Sequence, residues 1–178
     1  MTPPSSPPLR RGAVIFDRDG VLNHEVGFAH RPDQIVWIPG ALAAVKAVNE
    51  AGLFAFVATN QSGVARGLYT EADVIALHAW MNAQLAEIGA HVDAFVYSPY
   101  HPQAPLEAYR RDSDCRKPGP GLIRQLLSAF PVDPGRTCMI GDRETDMAAA
   151  RAAGITGVLF EGGDLGAAVA PVIARLTT

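Results

Sequence analysis

Five short apolar runs rich in β-branched and aromatic residues recur along the chain, and longer segments with apolar residues at helical spacing lie between them. The runs are AVIFD (13–17), LFAFVATN (53–60), DAFVYS (93–98), TCMIGD (137–142) and TGVLF (156–160). Each has the length and composition of a buried strand. The helical segments are GALAAVKAVNEAG (40–52), TEADVIALHAWMNAQLAEIG (70–89), GPGLIRQLLSAF (119–130) and ETDMAAARAAG (144–154). Gly52, Gly89 and Gly154 act as stop signals. Apolar strands alternating with helices predict an α/β fold, a parallel sheet covered by helices on both faces.

In such sheets ligands bind outside the carboxyl ends of the strands. Those ends are chemically rich here: the first strand runs into DRDG (17–20), the second into TNQSG (59–63) and the fourth into GDRETD (141–146). Asp17 and Asp19 lie two apart, so an extended chain aims both side chains the same way. Paired carboxylates repel unless a cation or proton is shared, and Mg²⁺ takes such oxygen ligands together with a substrate phosphate. A solvated turn with two acids is the plainer reading of the tetrapeptide. Asp142 and Asp146 lie four apart, a spacing that puts both on one helix face, although acids there also complement the helix dipole. Thr59 and Asn60 offer a hydroxyl and an amide for phosphate, NQSG adds backbone N–H groups, and Lys117 supplies a point charge beside a helix N-terminus. Each has an ordinary structural reading alone. Their joint placement on one rim points to a site for metal and phosphate.

Composition narrows the partners. At 178 residues the chain fits one domain, expected over residues 12–178, behind a proline-rich flexible tail at 1–11 that lacks a signal peptide's apolar stretch. Fifteen basic against 18 acidic residues give a formal charge of −3, which offers no footprint for nucleic acid or an anionic membrane. No apolar run approaches the roughly 18 residues of a membrane span. Cys115 and Cys138 form no CxxC pair, so a reducing cytoplasm is expected. The chain is expected to be a monomer. His78 and Trp80 read as packing residues of a helix.

The motifs FDRDGVLN, TNQSG, RKPGPG and GDRETD, in that order, resemble the four motifs of the haloacid dehalogenase (HAD) superfamily of phosphohydrolases. Within it, DRDGVLN, TNQSGVARG, HPQ, CRKPGPG and GDRETDM are similar to the D-glycero-D-manno-heptose 1,7-bisphosphate 7-phosphatases and the related histidinol-phosphatase domains. The resemblance implies a Rossmann-like HAD fold without a separate cap domain, since no insertion is long enough for one. It implies a Mg²⁺-dependent phosphatase acting on a small phosphorylated metabolite, with a heptose bisphosphate foremost and histidinol phosphate or another sugar phosphate as the rival. By the same resemblance Asp17 is the nucleophile, Asp19 the acid and base, and Thr59 and Lys117 stabilise the transferring phosphoryl group. Mg²⁺ falls to Asp17, the Asp19 carbonyl and Asp142, with Asp146 in support. Glu25, Val26, Gly27, Phe28, Asn60, Gln61, Ser62, Arg116 and Arg143 match substrate positions. Arg66, Arg110 and Arg111 are available for a second phosphate. A different class, a receiver-like module that accepts phosphate on Asp17 without turnover, would leave Asp19 without a role.

Relatives in these branches hold zinc through a Cys-x-His and a later Cys-x-Cys pair. The corresponding positions here are Ser98, Tyr100, Ser113 and Cys115, which leave one thiolate, so no zinc is expected.

Overall fold

The computed structural model describes residues 9–178, and across them strand and helix alternate almost to the end. β1 (Arg11–Phe16), β2 (Phe54–Asn60), β3 (Ala94–Ser98), β4 (Val132–Gly141) and β5 (Thr156–Leu159) pair in parallel, in the spatial order β3-β2-β1-β4-β5. Successive residues of β1 point to opposite faces, and both faces are dry. Val14 and Phe16 pack with α1 (Ala41–Glu50), α2 (Glu71–Ala86) and α5 (Leu165–Leu176), whereas Ala13 and Ile15 pack with α3 (Gly121–Ala129) and α4 (Glu144–Ala153). This is the parallel α/β sheet expected from the sequence, and among the described residues there is no separate cap domain. Of the expected tail, residues 1–8 lie outside the described residues. Arg11 already opens β1, its N–H donating to Pro131 O at 2.9 Å.

Two stretches depart from the periodicity. α5 went unpredicted because Pro171 interrupts its pattern, yet Leu165, Val169, Val172 and Leu176 form a buried helical stripe and Pro171 sits on the solvent side. Asp164 starts that helix by accepting the Ala167 N–H at 2.9 Å. β4 begins five residues earlier than the run TCMIGD, because its pairing with β1 shifts register across Asp133–Arg136 and so tolerates Pro134 and Gly135.

The chain leaves β1 toward β2 and β3 and then returns to β4 on the other side, so a crevice opens above the carboxyl ends of β1 and β4. One wall is the loop after β3. Both Tyr97 and Tyr109 donate their hydroxyls to the Glu71 carboxylate, at 2.7 and 2.9 Å, tying that loop to the start of α2. Arg110 donates to Ala104 O at 2.6 Å and Pro105 O at 2.9 Å, and the Arg111 guanidinium lies 4.1 Å from the centre of the Tyr100 ring. Arg110 and Arg111 thus brace the loop and do not line the cleft, contrary to the second-phosphate expectation. Ser113 Oγ accepts the Cys115 N–H at 3.2 Å, and Ser98 is buried in β3. Glu71→Ala removes two charge-assisted bonds and is expected to cost about 1–2 kcal/mol. Urea unfolding measures that loss, and limited proteolysis should show faster cleavage within 99–116.

Candidate active site

β1 ends at Phe16, and a tight turn follows in which the Leu22 N–H donates to Arg18 O at 2.9 Å. Gly20 closes the turn at φ 87°, a left-handed conformation that disfavours side chains, and a Cβ there would collide with the Asp142 carboxylate. The turn parts the two acids that an extended chain would have aligned. Both line the cleft, but Asp17 enters an acidic cluster while Asp19 enters a nest of donors.

Asp17, Asp142 and Asp146 bring carboxylate oxygens within 4.8 Å of one another. Asp142 precedes α4 and does not share a helix face with Asp146, as the spacing of four had suggested. They meet because the chain turns from β4 into the helix, where Asp146 Oδ2 accepts the Arg143 N–H at 3.1 Å. That bond is the helix-capping function acids commonly perform, and the same carboxylate's Oδ1 lies 2.6 Å from Lys117 Nζ. Lys117 Nζ also lies 2.9 Å from Asp17 Oδ1, at ion-pair distance. Its backbone is clamped by Asn60, whose amide donates to Lys117 O and accepts the Lys117 N–H, each at 3.0 Å. Burial opposes the Lys117 charge, but Asp17 and Asp146 outweigh it and hold its pKa above the ordinary lysine value. Burial pushes the Asp17 carboxyl up to about 6 despite Lys117, and raises Asp142 as well despite Arg143.

This cluster fits a hard divalent cation. Asp142 Oδ1 is buried with no hydrogen-bond partner, the donors are all carboxylate oxygens, and burial has made two of them costly to ionise without added positive charge. The Asp19 carboxylate is not part of it, which leaves only that residue's main-chain carbonyl for a metal.

Asp19 is held from three directions. Arg18 Nη2 donates to Oδ2 at 2.9 Å and Oδ1 at 3.1 Å, Asn23 Nδ2 to Oδ1 at 2.9 Å, and Gln61 Nε2 to Oδ2 at 3.0 Å. Arg18 is fully buried, and its remaining donors reach Ala29 O at 2.7 Å and His78 Nε2 at 3.4 Å. Neither Arg18 nor this use of His78 was foreseen. The available signal was an arginine set between two acids, where one lysine cannot balance the charge. His78 stacks on Phe95 with ring centroids 4.6 Å apart, so it does pack as expected, but its nitrogen also serves Arg18.

Around the cleft, of about 490 Å³, stand Thr59, Asn60, Gln61, Ser62, Glu25, Gly27, Phe28, Arg116 and Arg143, joined by Arg66 and Tyr69. Gln61 and Asn60 line it, yet their amides are engaged within the protein. Phe28 is exposed at φ 59°, whereas Val26, expected at the substrate, is exposed but does not line the cleft. Arg143 lies 3.5 Å from Glu25 and 3.8 Å from Asp142.

The fold and this cluster define a HAD-type phosphohydrolase. The profile of a family described as HAD-hydrolase-like matches residues 114–172. The chain is 44% identical over 167 residues to the D-glycero-beta-D-manno-heptose-1,7-bisphosphate 7-phosphatase of Rhodopseudomonas palustris, covering 94% of this chain and 93% of that one. Its structure is similar to that of the D,D-heptose 1,7-bisphosphate phosphatase of B. bronchiseptica, solved with magnesium and phosphate (TM-score 0.82, 31% identity, 93% and 99% coverage). It is also similar to a HAD-like phosphatase of Mesorhizobium loti (TM-score 0.86, 29% identity, 96% and 88% coverage). The chain belongs to the HAD superfamily of phosphatases and is closely related to the heptose-bisphosphate phosphatase branch. Among the described residues no helix is long and apolar enough to cross a membrane.

The buried His78 sets a pH dependence. Burial, and then the Arg18 charge, push its pKa from the ordinary 6.5 down to about 3, so the folded state rejects a proton that the unfolded chain accepts. This contribution to stability is complete above pH 6.5 and declines as pH falls toward about 3. Urea midpoints measured from pH 7 to pH 4 should fall by less in His78→Phe than in the wild type.

Proposed function

We propose that the protein removes the 7-phosphate of D-glycero-D-manno-heptose 1,7-bisphosphate through an aspartyl-phosphate on Asp17. The observation that carries the substrate reading is a second cationic centre in the same cleft. Arg66 and Arg116 both line it, and neither has an acidic partner within ion-pair distance among the described residues. Arg116 donates to Tyr100 O at 3.3 Å, and burial followed by the Arg66 charge lowers its pKa. Two like charges felt by one another, Arg116 half-buried and Arg66 exposed, favour an anion between them, and a bisphosphate brings one beyond the group being cleaved. Histidinol phosphate would present an ammonium to the same arginines.

In the first step an Asp17 oxygen attacks phosphorus, the bond to the leaving oxygen breaks, and the proton on Asp19 passes to that oxygen. In the second, water attacks phosphorus, its proton passes to Asp19, and the bond from Asp17 to phosphorus breaks, releasing phosphate. Lys117 and the Thr59 hydroxyl face the transferring group, and Asp146 holds Lys117 in place. Asp17, Asp142 and the Asp19 carbonyl would hold Mg²⁺, which when bound neutralises charge on the phosphoryl oxygens. Glu25, Gly27, Phe28, Ser62 and Arg143 form the rim against which the sugar rests.

Phosphate release from the heptose bisphosphate should require Mg²⁺, vanish with EDTA, and vanish in Asp17→Asn. Lys117→Met should lower kcat by about 10²- to 10³-fold, the loss typical of one charge-stabilising donor. Turnover undiminished by EDTA would overturn this reading. Arg66→Ala and Arg116→Ala should each raise KM for the bisphosphate about 10-fold while leaving p-nitrophenyl phosphate nearly unchanged. Equal losses on both substrates, or histidinol phosphate as the better substrate, would contradict the second-phosphate assignment.

A further inference from the structure

We infer that Asp19 is aimed by two positioning arms, His78 through Arg18 and Tyr69 through Gln61, and that these arms serve the hydrolysis of the aspartyl-phosphate. The inference rests on Asp19 being the acid and base proposed above.

Every side-chain contact to the Asp19 carboxylate comes from a donor. Arg18 spans both oxygens, Asn23 reaches Oδ1 and Gln61 reaches Oδ2. Such a shell fixes the direction in which both oxygens face, which a group that must meet first the leaving oxygen and then the attacking water requires. Neither arm is free to turn. The Tyr69 hydroxyl donates to Gln61 Oε1 at 2.7 Å, so the Gln61 NH₂ must face Asp19 and Thr59 Oγ1, the latter at 2.9 Å. A flipped amide would set its carbonyl against the carboxylate. Tyr69 is itself fixed by stacking on His30, with centroids 4.8 Å apart and planes 14° from parallel. On the other side His78, stacked on Phe95, accepts from Arg18 Nη1, while Ala29 O takes a second bond from Nη2. The buried guanidinium thereby keeps Nε and Nη2 on Asp19. None of Arg18, His78 or Tyr69 contacts the acidic cluster through its side chain, so each acts through Asp19.

The test is the lifetime of the phosphoenzyme. Full-length enzyme with Mg²⁺ is phosphorylated with radiolabelled p-nitrophenyl phosphate and chased with unlabelled substrate, and the protein-bound label is followed by rapid quench. The first-order decay is a property of molecules that became phosphorylated, so it is independent of the fraction folded. His78→Phe and Tyr69→Phe should each slow the decay about 10-fold, a part of the 10²- to 10⁴-fold that general acid–base catalysis supplies. His78→Gln, whose carbonyl can accept from Arg18, should restore most of the rate. Asp19→Asn should slow the decay most. Slow decay in Asp19→Asn with wild-type decay in both Phe variants would overturn the arms alone, whereas wild-type decay in Asp19→Asn would overturn the reading beneath them. Tyr69→Phe deletes one hydroxyl and keeps the ring, so it carries the test should His78→Phe fail to fold.

Discussion

The Lys117 ammonium, buried between Asp17 and Asp146, is the contact on which the rest of the site depends. Taking one lysine and two carboxylates out of water costs several kcal/mol per ion, and the short approaches of 2.9 and 2.6 Å offset that cost only while all three are present. Each group arrives on a different element: Asp17 follows β1, Lys117 ends the loop after β3, and Asp146 lies in the first turn of α4. Asn60 at the end of β2 fixes the lysine's backbone from below. One charge thus locks three strand ends together, and its placement requires the loop that Tyr97, Tyr109 and Glu71 hold.

The turn at Gly20 gives two neighbouring aspartates opposite environments. Asp17 stands in a dry acidic cluster where burial makes its carboxyl harder to ionise, so it becomes a carboxylate nucleophile only with the help of neighbouring positive charge. Asp19, two residues on, is ringed by nitrogen donors that fix its direction. Separate chemistry for two like side chains comes from their surroundings rather than from their identity. The buried Arg18 between them makes the division possible, since it binds Asp19 with its guanidinium and Asp17 with its backbone N–H at 2.7 Å.

What could be read from the chain followed from local pattern. The apolar runs located β1 to β3, the end of β4 and β5, and helical spacing located α1 to α4. Asp17, Asp142, Thr59 and Lys117 were visible because strand ends in a parallel sheet share an edge. α5 was hidden by Pro171, whose missing N–H matters little on a solvent-facing turn. The beginning of β4 was hidden by Pro134 and Gly135 at a change of register. Arg18, Tyr69 and the second function of His78 could not be read in this way, because a buried polar network depends on which side chains meet across elements. Gln61 and Asn60 illustrate the same limit: their place on the rim was legible, but not that Tyr69 and the Lys117 backbone would claim their amides. That the loop after β3 lacks a full set of zinc ligands was legible, while the Glu71 carboxylate shared between two tyrosines was not.

The most direct measurement is a crystal structure grown with Mg²⁺ and beryllium fluoride, a stand-in for the phosphoryl group on an aspartate. The expected density is beryllium bonded to an Asp17 carboxylate oxygen, the metal against Asp17 and Asp142, and Lys117 Nζ within hydrogen-bonding distance of a fluoride. Beryllium fluoride on another residue, or a Lys117 ammonium turned away from it, would contradict the central place given to the Asp17–Lys117–Asp146 contact.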